Sequence, residues 1–317
     1  MLLSGPMAVP LRKRARRVLR SALIRGAAWL LSWLPLPAAL ALGELLGRLG
    51  HLFAGKTRRL ALAQLAAAFP ERSEAERRGL ARACFLHLGR STMEVIAVRR
   101  IDPRLDEYVA FAGQGEALLQ EVMGRGRGMV FVTGHLGNWE LLARRIARAG
   151  VPNAVIAKAG WDAKLNAMAA RIRSAGGVTT LWREDASTGR AIIRTFREGK
   201  ALGILIDQDT RVQGVFVPFF GRPAFTPRAA ADLALRFGAP VVVGTCHRAP
   251  PGGRARHVLE LTELPFDPKP TDREAEAVRL TAACTAVLEQ AIRRSPAEWV
   301  WMHERWKTRP DPSETCV

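Results

Sequence analysis

Apolar residues follow two different patterns on either side of residue 116. On the N-terminal side they recur at helical spacing, which predicts helices over 58–69 and over roughly 74–98. Ser73 and Glu76 stand three positions apart at the start of the second helix, which is the spacing of a capping box. This region is therefore expected to be helical and to pack against the rest of the chain.

Beyond residue 116, short β-rich runs alternate with helical stretches. This alternation predicts an α/β fold with a largely parallel central sheet flanked by helices. The predicted strands are MVFVT (129–133), NAVIA (153–157), ALGILI (201–206) and PVVVGTC (240–246), with VLELTELPF (258–266) as an added edge strand. The predicted helices lie at 139–149, 162–175, 187–198, 227–237 and 274–295.

The N-terminal region joins a basic segment to an apolar one. Residues 11–25 hold seven Lys and Arg, and residues 26–43 carry no charge. Eighteen uncharged residues are at the short limit of a bilayer span, and Pro35 and Pro37 interrupt a helix there. A helix inserted obliquely, or lying in the membrane interface with its arginines on anionic head groups, fits as well as a full span.

Two other interpretations of this segment were weighed. A secretory signal peptide would end near the sequence ALA at 39–41, but the apolar pattern continues past that point. A buried core helix would place seven clustered cations beside the core, with no partners in the local sequence. We therefore predict an N-terminal membrane-associated helix.

Charge and cysteine content narrow the function classes. The 317 residues include 48 Lys and Arg against 29 Asp and Glu, a formal net charge of +19, which favours nucleic acid, anionic lipid or an acidic carrier protein as partner. Arginine supplied by a GC-rich genome is the alternative for the scattered cations. The four cysteines form no C-x-x-C pair, so we expect a reducing compartment and no metal site.

One segment combines features of a reactive site. The sequence GHLGNWE at 134–140 directly follows the predicted strand 129–133, and its glycines permit a sharp turn into a helix that starts near Asn138. His135 is thereby placed at the C-terminal end of a strand, where open α/β sheets bind ligands, and Glu140 falls in the first helical turn.

A histidine beside a carboxylate suits acyl transfer to a hydroxyl. Imidazole, whose unperturbed pKa is about 6.5, can take the hydroxyl proton at neutral pH. Glu140, bonded to the other ring nitrogen, would fix the tautomer and stabilise the imidazolium, while N–H groups of the turn and of the helix start would bind the oxyanion. The spacing alone also occurs at ordinary helix starts, where Asn138 caps the helix and Glu140 complements its dipole.

The 134–140 segment resembles the H-x4-D/E block of the lysophospholipid acyltransferase superfamily, in particular of the lipid A late acyltransferases of the lauroyl and myristoyl type. Four further blocks resemble that family in order and spacing, so the resemblance spans nearly the whole chain. They are ARIRS (170–174), DQD (207–209), GVFVPFFG (214–221) and WVWMHERWKTRP (299–310).

The resemblance implies a glycerol-phosphate-acyltransferase-like fold, with His135 as general base and Glu140 as its partner. Lys158 departs from the arginine of the family, and Glu304 stands where the family often has a basic residue. Lysine cannot form the bidentate clamp of arginine, so these two positions do not identify the anionic group that the protein binds. The residues assigned to substrate binding or support of the site are Asn138, Lys158, Arg171, Asp207, Gln208, Asp209 and Arg305.

The resemblance also implies a reaction and a place. The expected enzyme transfers a fatty acyl group from acyl-carrier protein to a hydroxyl of a lipid A precursor, on the cytoplasmic face of the bacterial inner membrane, with no cofactor and no metal. Another glycolipid, such as a phosphatidylinositol mannoside, is the alternative acceptor. The predicted organisation is a basic, membrane-anchoring segment (1–55), a helical packing region (56–115) and an α/β catalytic acyltransferase domain (116–317).

Other function classes fit less well. The sequence has no G-x-S-x-G elbow, no P-loop and no H-E-x-x-H pair. A nucleic-acid-binding protein would use the high charge, but the clustered cations lie beside the apolar N-terminal segment, so we expect no nucleic acid partner. A membrane scaffold with a vestigial histidine motif is the remaining alternative.

Overall fold

A computed structural model describes residues 11–250, 252 and 254–311 of the chain. The side chains of 11–15 and 17 are outside this description, as are the first ten residues of the predicted N-terminal segment. Cys84, Cys246 and Cys284 are buried free thiols, whereas Cys316 lies outside the described residues.

The predicted α/β class with a mostly parallel sheet is confirmed. Seven strands form one sheet in the order β1-β9-β8-β2-β5-β3-β4, and β6 and β7 form a separate antiparallel hairpin. Within the large sheet, the β8–β9 pair is antiparallel and every other pair is parallel. The strands run over Val109–Phe111 (β1), Met129–Thr133 (β2), Asn153–Ala157 (β3), Val178–Trp182 (β4), Ala201–Leu205 (β5), Gly214–Phe219 (β6), Arg222–Pro227 (β7), Val241–Arg248 (β8) and His257–Leu264 (β9).

The predicted helices are confirmed to within a few residues at their ends. Ser73 caps α4 through the predicted capping box, in which its hydroxyl accepts from the N–H of Glu76 and the Glu76 carboxylate accepts from the N–H of Ser73. The helices run over Leu11–Leu31 (α1), Leu36–Phe53 (α2), Gly55–Ala68 (α3), Glu74–Ile96 (α4), Val98–Ile101 (α5), Leu105–Tyr108 (α6), Gly115–Gly124 (α7), Trp139–Arg148 (α8), Ala163–Ser174 (α9), Thr188–Arg197 (α10), Ala229–Phe237 (α11) and Arg273–Arg294 (α12).

The sheet is covered on both faces, as expected of mainly parallel strands. Apolar residues of α10, α11 and α12 pack on one face, and those of α5 to α8 pack on the other. The predicted edge position of β9 was wrong, because β1 pairs with its outer side and forms the edge. Three strand residues at Val109–Phe111 are too few to give a recognisable alternating pattern.

The uncharged N-terminal stretch is divided between two helices. α1 ends at Leu31, and α2 begins after Pro35, whose ring suits the start of a helix but not its interior. α2 packs closely on α4, since a Cβ on Gly43 would lie 2.6 Å from the carbonyl oxygen of Gly89. Among the described residues, no helix has both the length and the apolar character needed to cross a bilayer.

A third apolar cluster joins the helical region to the C-terminal segment. It combines residues of α3 and α4 with Phe219 of the β6–β7 hairpin and with Trp299 and Trp301. The two indole rings meet edge to face, 4.6 Å apart. This cluster holds Trp299 and Trp301 against the helical region.

Candidate active site

His135 and Asp207 meet at the C-terminal edge of the sheet. The last residues of β2 and β5, Thr133 and Leu205, pair with each other across two parallel strands. His135 and Asp207 each lie two residues beyond those ends, so strand pairing brings them together. Nδ1 of His135 is 2.8 Å from Oδ1 of Asp207, and the N–H of His135 donates to Oδ2 at 2.6 Å.

The Asp207 carboxylate is buried and ionised. Burial disfavours the charged form, but the pairing with His135 and the hydrogen bonds from His135 and Trp299 hold the pKa of Asp207 below its usual value. Nε1 of Trp299 donates to Oδ2 at 2.7 Å. An ionised carboxylate only accepts, so the His135 proton sits on Nδ1 and Nε2 is left free to take a proton.

Nε2 of His135 has no hydrogen-bond partner among the described residues, and the ring lines a cavity of about 630 Å³. The edge of this imidazole meets the indole ring of Trp139, with 5.1 Å between their centres. The proton-accepting nitrogen is thus presented to a space large enough for a small-molecule ligand.

The predicted hydrogen bond between Glu140 and His135 was wrong. Both oxygens of Glu140 accept from Arg173, at 2.9 Å from Nε and 2.6 Å from Nη2. This bidentate contact raises the pKa of Arg173, although burial acts in the opposite direction. Asp207 reaches the ring instead because β5 lies directly beside β2, whereas Glu140 points from α8 toward the end of α9.

The turn between His135 and Glu140 is fixed by the surrounding backbone. Gly137 has a φ of +63°, and a Cβ there would lie 1.7 Å from the carbonyl oxygen of Cys246. The N–H of Gly137 donates to the carbonyl of Glu298, and that of Asn138 donates to the carbonyl of Cys246. These two N–H groups, and that of His135, therefore do not bind an oxyanion as the sequence had suggested.

One arm of the cavity follows the face of the sheet beneath α8. Alternate residues of β3 and β5 share this face, and Leu142, Ala143 and Ile146 of α8 roof it. Since each strand has five residues, this arm extends roughly 13 Å from the His135 end to the far strand ends. The residues of β2, β3 and β5 that line it on this face are Phe131, Thr133, Asn153, Val155, Ala157, Ala201, Gly203 and Leu205.

The exposed mouth of the cavity is polar and carries charges of both signs. Lys158 and Gln208, both predicted to belong to the site, line it together with Arg183 and Asp185. Among the described residues, no group of three or more His, Cys, Asp or Glu side chains could hold a metal ion.

Four of the residues predicted for the site do not line the cavity: Asn138, Arg171, Asp209 and Arg305. Asn138 is buried and caps α8, and its Oδ1 accepts from the N–H of Leu141 at 3.2 Å. Asp209 is buried and accepts from the N–H and hydroxyl of Thr308, at 2.6 and 3.0 Å. Arg171 is exposed on α9 and does not line the cavity.

Arg305 is completely buried and does not contact the cavity. Its guanidinium donates to the carbonyl of Phe225 and to the hydroxyl of Thr226, at 2.6 and 2.5 Å. Burial lowers the pKa of Arg305 to about 10, partly offset by the charges of Asp207 and Asp209. Arg305 therefore holds the C-terminal segment to β7 and is not placed to contact a ligand in this cavity.

Two residues were not assigned to the site from the sequence. Arg173 belongs to the basic block ARIRS, in which the family resemblance points to Arg171 although both arginines have the same chemistry. Trp299 was recognised only within the C-terminal block, and the structure shows that its indole binds Asp207.

Comparison with known proteins places the chain in a family. Residues 10–308 match the family described as bacterial lipid A biosynthesis acyltransferase. The chain belongs to this family. The predicted resemblance is confirmed, and membership supports an acyltransferase of lipid A synthesis.

Curated relatives of this acyltransferase family cover 90% of the chain and 90% of their own length, at 26% identity over 288 residues. They include the lipid A biosynthesis lauroyltransferase and palmitoleoyltransferase of Escherichia coli (strain K12). The lipid A biosynthesis acyltransferase of Shigella flexneri matches over the same extent and at the same identity. The acyl groups in the names of these relatives differ although the identities are the same. Membership of the family therefore does not define the length of the acyl chain that is transferred.

Proposed function

We propose that the protein transfers a fatty acyl group from acyl-carrier protein to a hydroxyl of a lipid A precursor, at the inner membrane, with His135 as general base. The observation that carries the proposal is the buried Asp207 carboxylate on Nδ1 of His135, which leaves Nε2 facing a long, mainly apolar cavity. Family membership supports the reaction class and the lipid A pathway.

The proposed reaction needs no cofactor. Nε2 of His135 takes the proton of the acceptor hydroxyl as its oxygen attacks the thioester carbon and forms a C–O bond. When the C–S bond breaks, its electron pair leaves with sulfur, and the imidazolium returns the proton to the thiolate. Asp207 stabilises the imidazolium between these steps, as a fixed counter-charge in a buried site.

The negative charge of the tetrahedral intermediate needs donors other than those of the turn. The N–H groups of Trp139 and Glu140, in the first turn of α8, are the proposed donors, since the first N–H groups of a helix have no intrahelical acceptor. The pairing of Glu140 with Arg173 keeps this helix start beside α9. Lys158 and Arg183 at the mouth supply positive charge for a phosphate of the acceptor or the carrier.

The arm of the cavity beneath α8 is proposed to hold the acyl chain. Its walls are mainly apolar, and Gly203 in its floor leaves no room for a side chain, because a Cβ there would lie 3.0 Å from Val155. The chain would lie along the strands, with its thioester at the His135 end.

Replacing Ala143 with leucine is expected to shift the preferred acyl chain to a shorter one. The larger side chain projects from α8 into the arm, and a methylene in an apolar pocket changes discrimination by about 1–3 kcal/mol. The measurement is kcat/KM for a series of acyl-carrier proteins loaded with saturated chains of increasing length. Ala143→Ser, which adds little volume, is the control, and an unchanged preference in Ala143→Leu would contradict this placement.

The N-terminal helices are proposed to bind the surface of an anionic membrane. Arg20 stacks on Trp161 at 4.7 Å, and the hydroxyl of Ser21 donates to Asp162 at 3.0 Å, so α1 lies beside the segment that follows Lys158 at the cavity mouth. The exposed large apolar residues of the described chain, apart from Trp161, all lie on α1, α2 and the turn between them: Val18, Leu19, Leu23, Ile24, Trp29, Leu30, Trp33, Leu45, Leu46, Leu49, Leu52 and Phe53.

Such a surface would lie in the interface of the membrane, with basic residues on the head groups and indole rings at the boundary. The acceptor lipid could then pass from the bilayer to the cavity mouth along α1. This placement agrees with a family that acts in lipid A synthesis.

Replacing Leu45 and Leu49 together with glutamine is expected to weaken vesicle binding at least tenfold. Both side chains are exposed, so their change removes apolar area from the proposed interface at little cost to folding. Co-sedimentation with phosphatidylglycerol-containing vesicles measures the effect. Leu45→Met with Leu49→Met keeps the apolar surface and should bind like the parent protein; equal binding by the glutamine variant would count against this surface.

Acyl transfer itself is tested with purified protein, an acyl-loaded carrier protein and a lipid A precursor in mixed micelles. The expected product is heavier by one ester-linked acyl chain in the mass spectrum and is absent without the carrier thioester. A phosphatidylinositol mannoside serves as the competing acceptor. Acylation of that lipid alone would overturn the proposed acceptor, and transfer to neither would overturn the proposed function.

A further inference from the structure

A buried carboxylate lies behind the His135–Glu140 turn, outside the cavity. Glu94 of α4 is fully buried and does not line the cavity. It accepts hydrogen bonds from Nδ2 of Asn138 at 2.9 Å, the hydroxyl of Tyr108 at 2.9 Å and Nη1 of Arg248 at 3.0 Å. Nε2 of His257 lies 2.9 Å from the same carboxylate.

Glu94 is ionised in this setting. Burial opposes its charge, but the contacts with His257, Arg248 and Asn138 hold the pKa of Glu94 well below its usual value. An ionised carboxylate has no proton to donate, so each of its neighbours must present a donor to it.

This requirement fixes the orientation of the Asn138 amide. Nδ2 must face Glu94, and Oδ1 is then directed to the N–H of Leu141, which it caps. The reverse orientation would place two acceptors together at Glu94 and would remove the cap. Glu94 therefore determines how α8 begins, and the first turn of α8 carries Glu140.

The same network also holds the other half of the turn. Nε2 of His87 lies 3.1 Å from the carbonyl oxygen of Gly137, and Nε of Arg248 lies 3.3 Å from Nδ1 of His87. Burial, together with the charge of Arg248, lowers the pKa of His87 to about 3, so this ring is neutral. A neutral ring with Arg248 bonded to Nδ1 carries its proton on Nε2, and it therefore donates to Gly137.

We propose that Glu94 is a positioning residue for acyl transfer: acting through Asn138, it sets the turn that holds His135 at one end and Glu140 at the other. The inference rests on the proposed function. Burying a charge is costly, and the four donors arranged around this carboxylate offset that cost.

The test compares Glu94→Gln with Tyr108→Phe. Glutamine keeps the volume of Glu94 but places an N–H group among side chains that themselves donate hydrogen bonds. Glu94→Gln should lower kcat 10- to 100-fold and keep KM for the acyl-carrier substrate within about twofold. Tyr108→Phe removes a hydrogen bond to the same carboxylate without touching the turn. It should lower Tm by roughly 2–4 °C and leave kcat within about twofold.

A second pair of variants separates positioning from general loss of stability. Asn138→Asp alone sets two carboxylates against each other and should lower kcat more than Glu94→Gln does. Glu94→Gln combined with Asn138→Asp reverses the direction of the hydrogen bond and keeps a cap on α8. This double variant should regain at least tenfold in kcat over Glu94→Gln.

Amide hydrogen exchange gives a readout that does not depend on activity. Exchange over residues 136–142 should rise in Glu94→Gln and not in Tyr108→Phe. Unchanged exchange in Glu94→Gln, a parallel fall of kcat in both single variants, or a double variant no better than Glu94→Gln would overturn the proposal. Absence of acyl transfer by the parent protein would instead contradict the proposed function, and the exchange comparison would still decide the role of Glu94.

Discussion

Replacing His135 with alanine is expected to lower kcat for acyl transfer by about 10⁴-fold. Nε2 is the only group of this ring that faces the cavity without a partner among the described residues, so the variant has no base for the hydroxyl and no acid for the departing thiolate. Activity is measured as acylated product formed from carrier-bound acyl chains. KM for the donor should change little, because the cavity walls stay in place.

Two controls separate lost chemistry from lost folding. His135→Gln can still donate a hydrogen bond to the buried Asp207 but cannot act as a base, so it should be folded and as inactive as the alanine variant. His51→Ala alters a histidine of α2 that meets Phe85 edge to face and lies outside the cavity, and it should keep full activity. Activity of His135→Ala within tenfold of the parent protein would exclude the proposed mechanism.

The position of His135 could be predicted from sequence because every determinant is local. A β-rich run, a glycine turn and a helix start lie within twelve residues of each other, and each follows from backbone preferences. The structure confirms the strand at Met129–Thr133 and the helix at Trp139–Arg148. Exposure of the histidine at the strand end follows from these elements alone.

The partner of His135 could not be predicted in the same way. Asp207 lies 72 residues further along the chain, and its contact with the ring depends on β5 lying next to β2. Strand order is decided by packing of the whole domain, which leaves no periodic signal near either residue. In the sequence, Glu140 is therefore the candidate carboxylate nearest to His135. Only the strand order shows that Asp207, which is further away along the chain, is the one that contacts the ring.

The sequence also does not show which arginines lie on the surface and which lie in the interior. Arg171 and Arg173 occupy the same helical turn and have the same chemistry, yet one is exposed and the other binds Glu140. A change of two positions rotates a side chain by roughly 200° around a helix, so the two side chains point to nearly opposite faces, and the sequence does not show which face of α9 meets α8. Arg305 is buried against the β6–β7 hairpin, and the sequence of that hairpin does not show where it packs.

Replacing Asp207 with asparagine is expected to lower kcat by about 10³-fold, a smaller loss than in the His135 variants but a larger one than in any other variant of the site. Oδ2 of Asp207 accepts from two donors, the N–H of His135 and Nε1 of Trp299. An asparagine must therefore keep its carbonyl oxygen at this position and turn its amino group toward Nδ1 of His135. The ring then accepts at Nδ1, its proton moves to Nε2, and the nitrogen that faces the cavity can no longer take a proton.

Glu140→Gln is the matched comparison, because it also replaces a carboxylate with its amide at one end of the same turn. It weakens the pairing with Arg173 but leaves the hydrogen bond between His135 and Asp207 intact, so a fall in kcat of about tenfold is expected. Steady-state kinetics of the two variants, with Tm as a check on folding, decide between the carboxylates. A larger loss in Glu140→Gln than in Asp207→Asn would mean that the residue suggested by sequence spacing, and not the one bonded to the ring, governs proton transfer. The charge at Asp207 would then not be what holds the His135 proton on Nδ1.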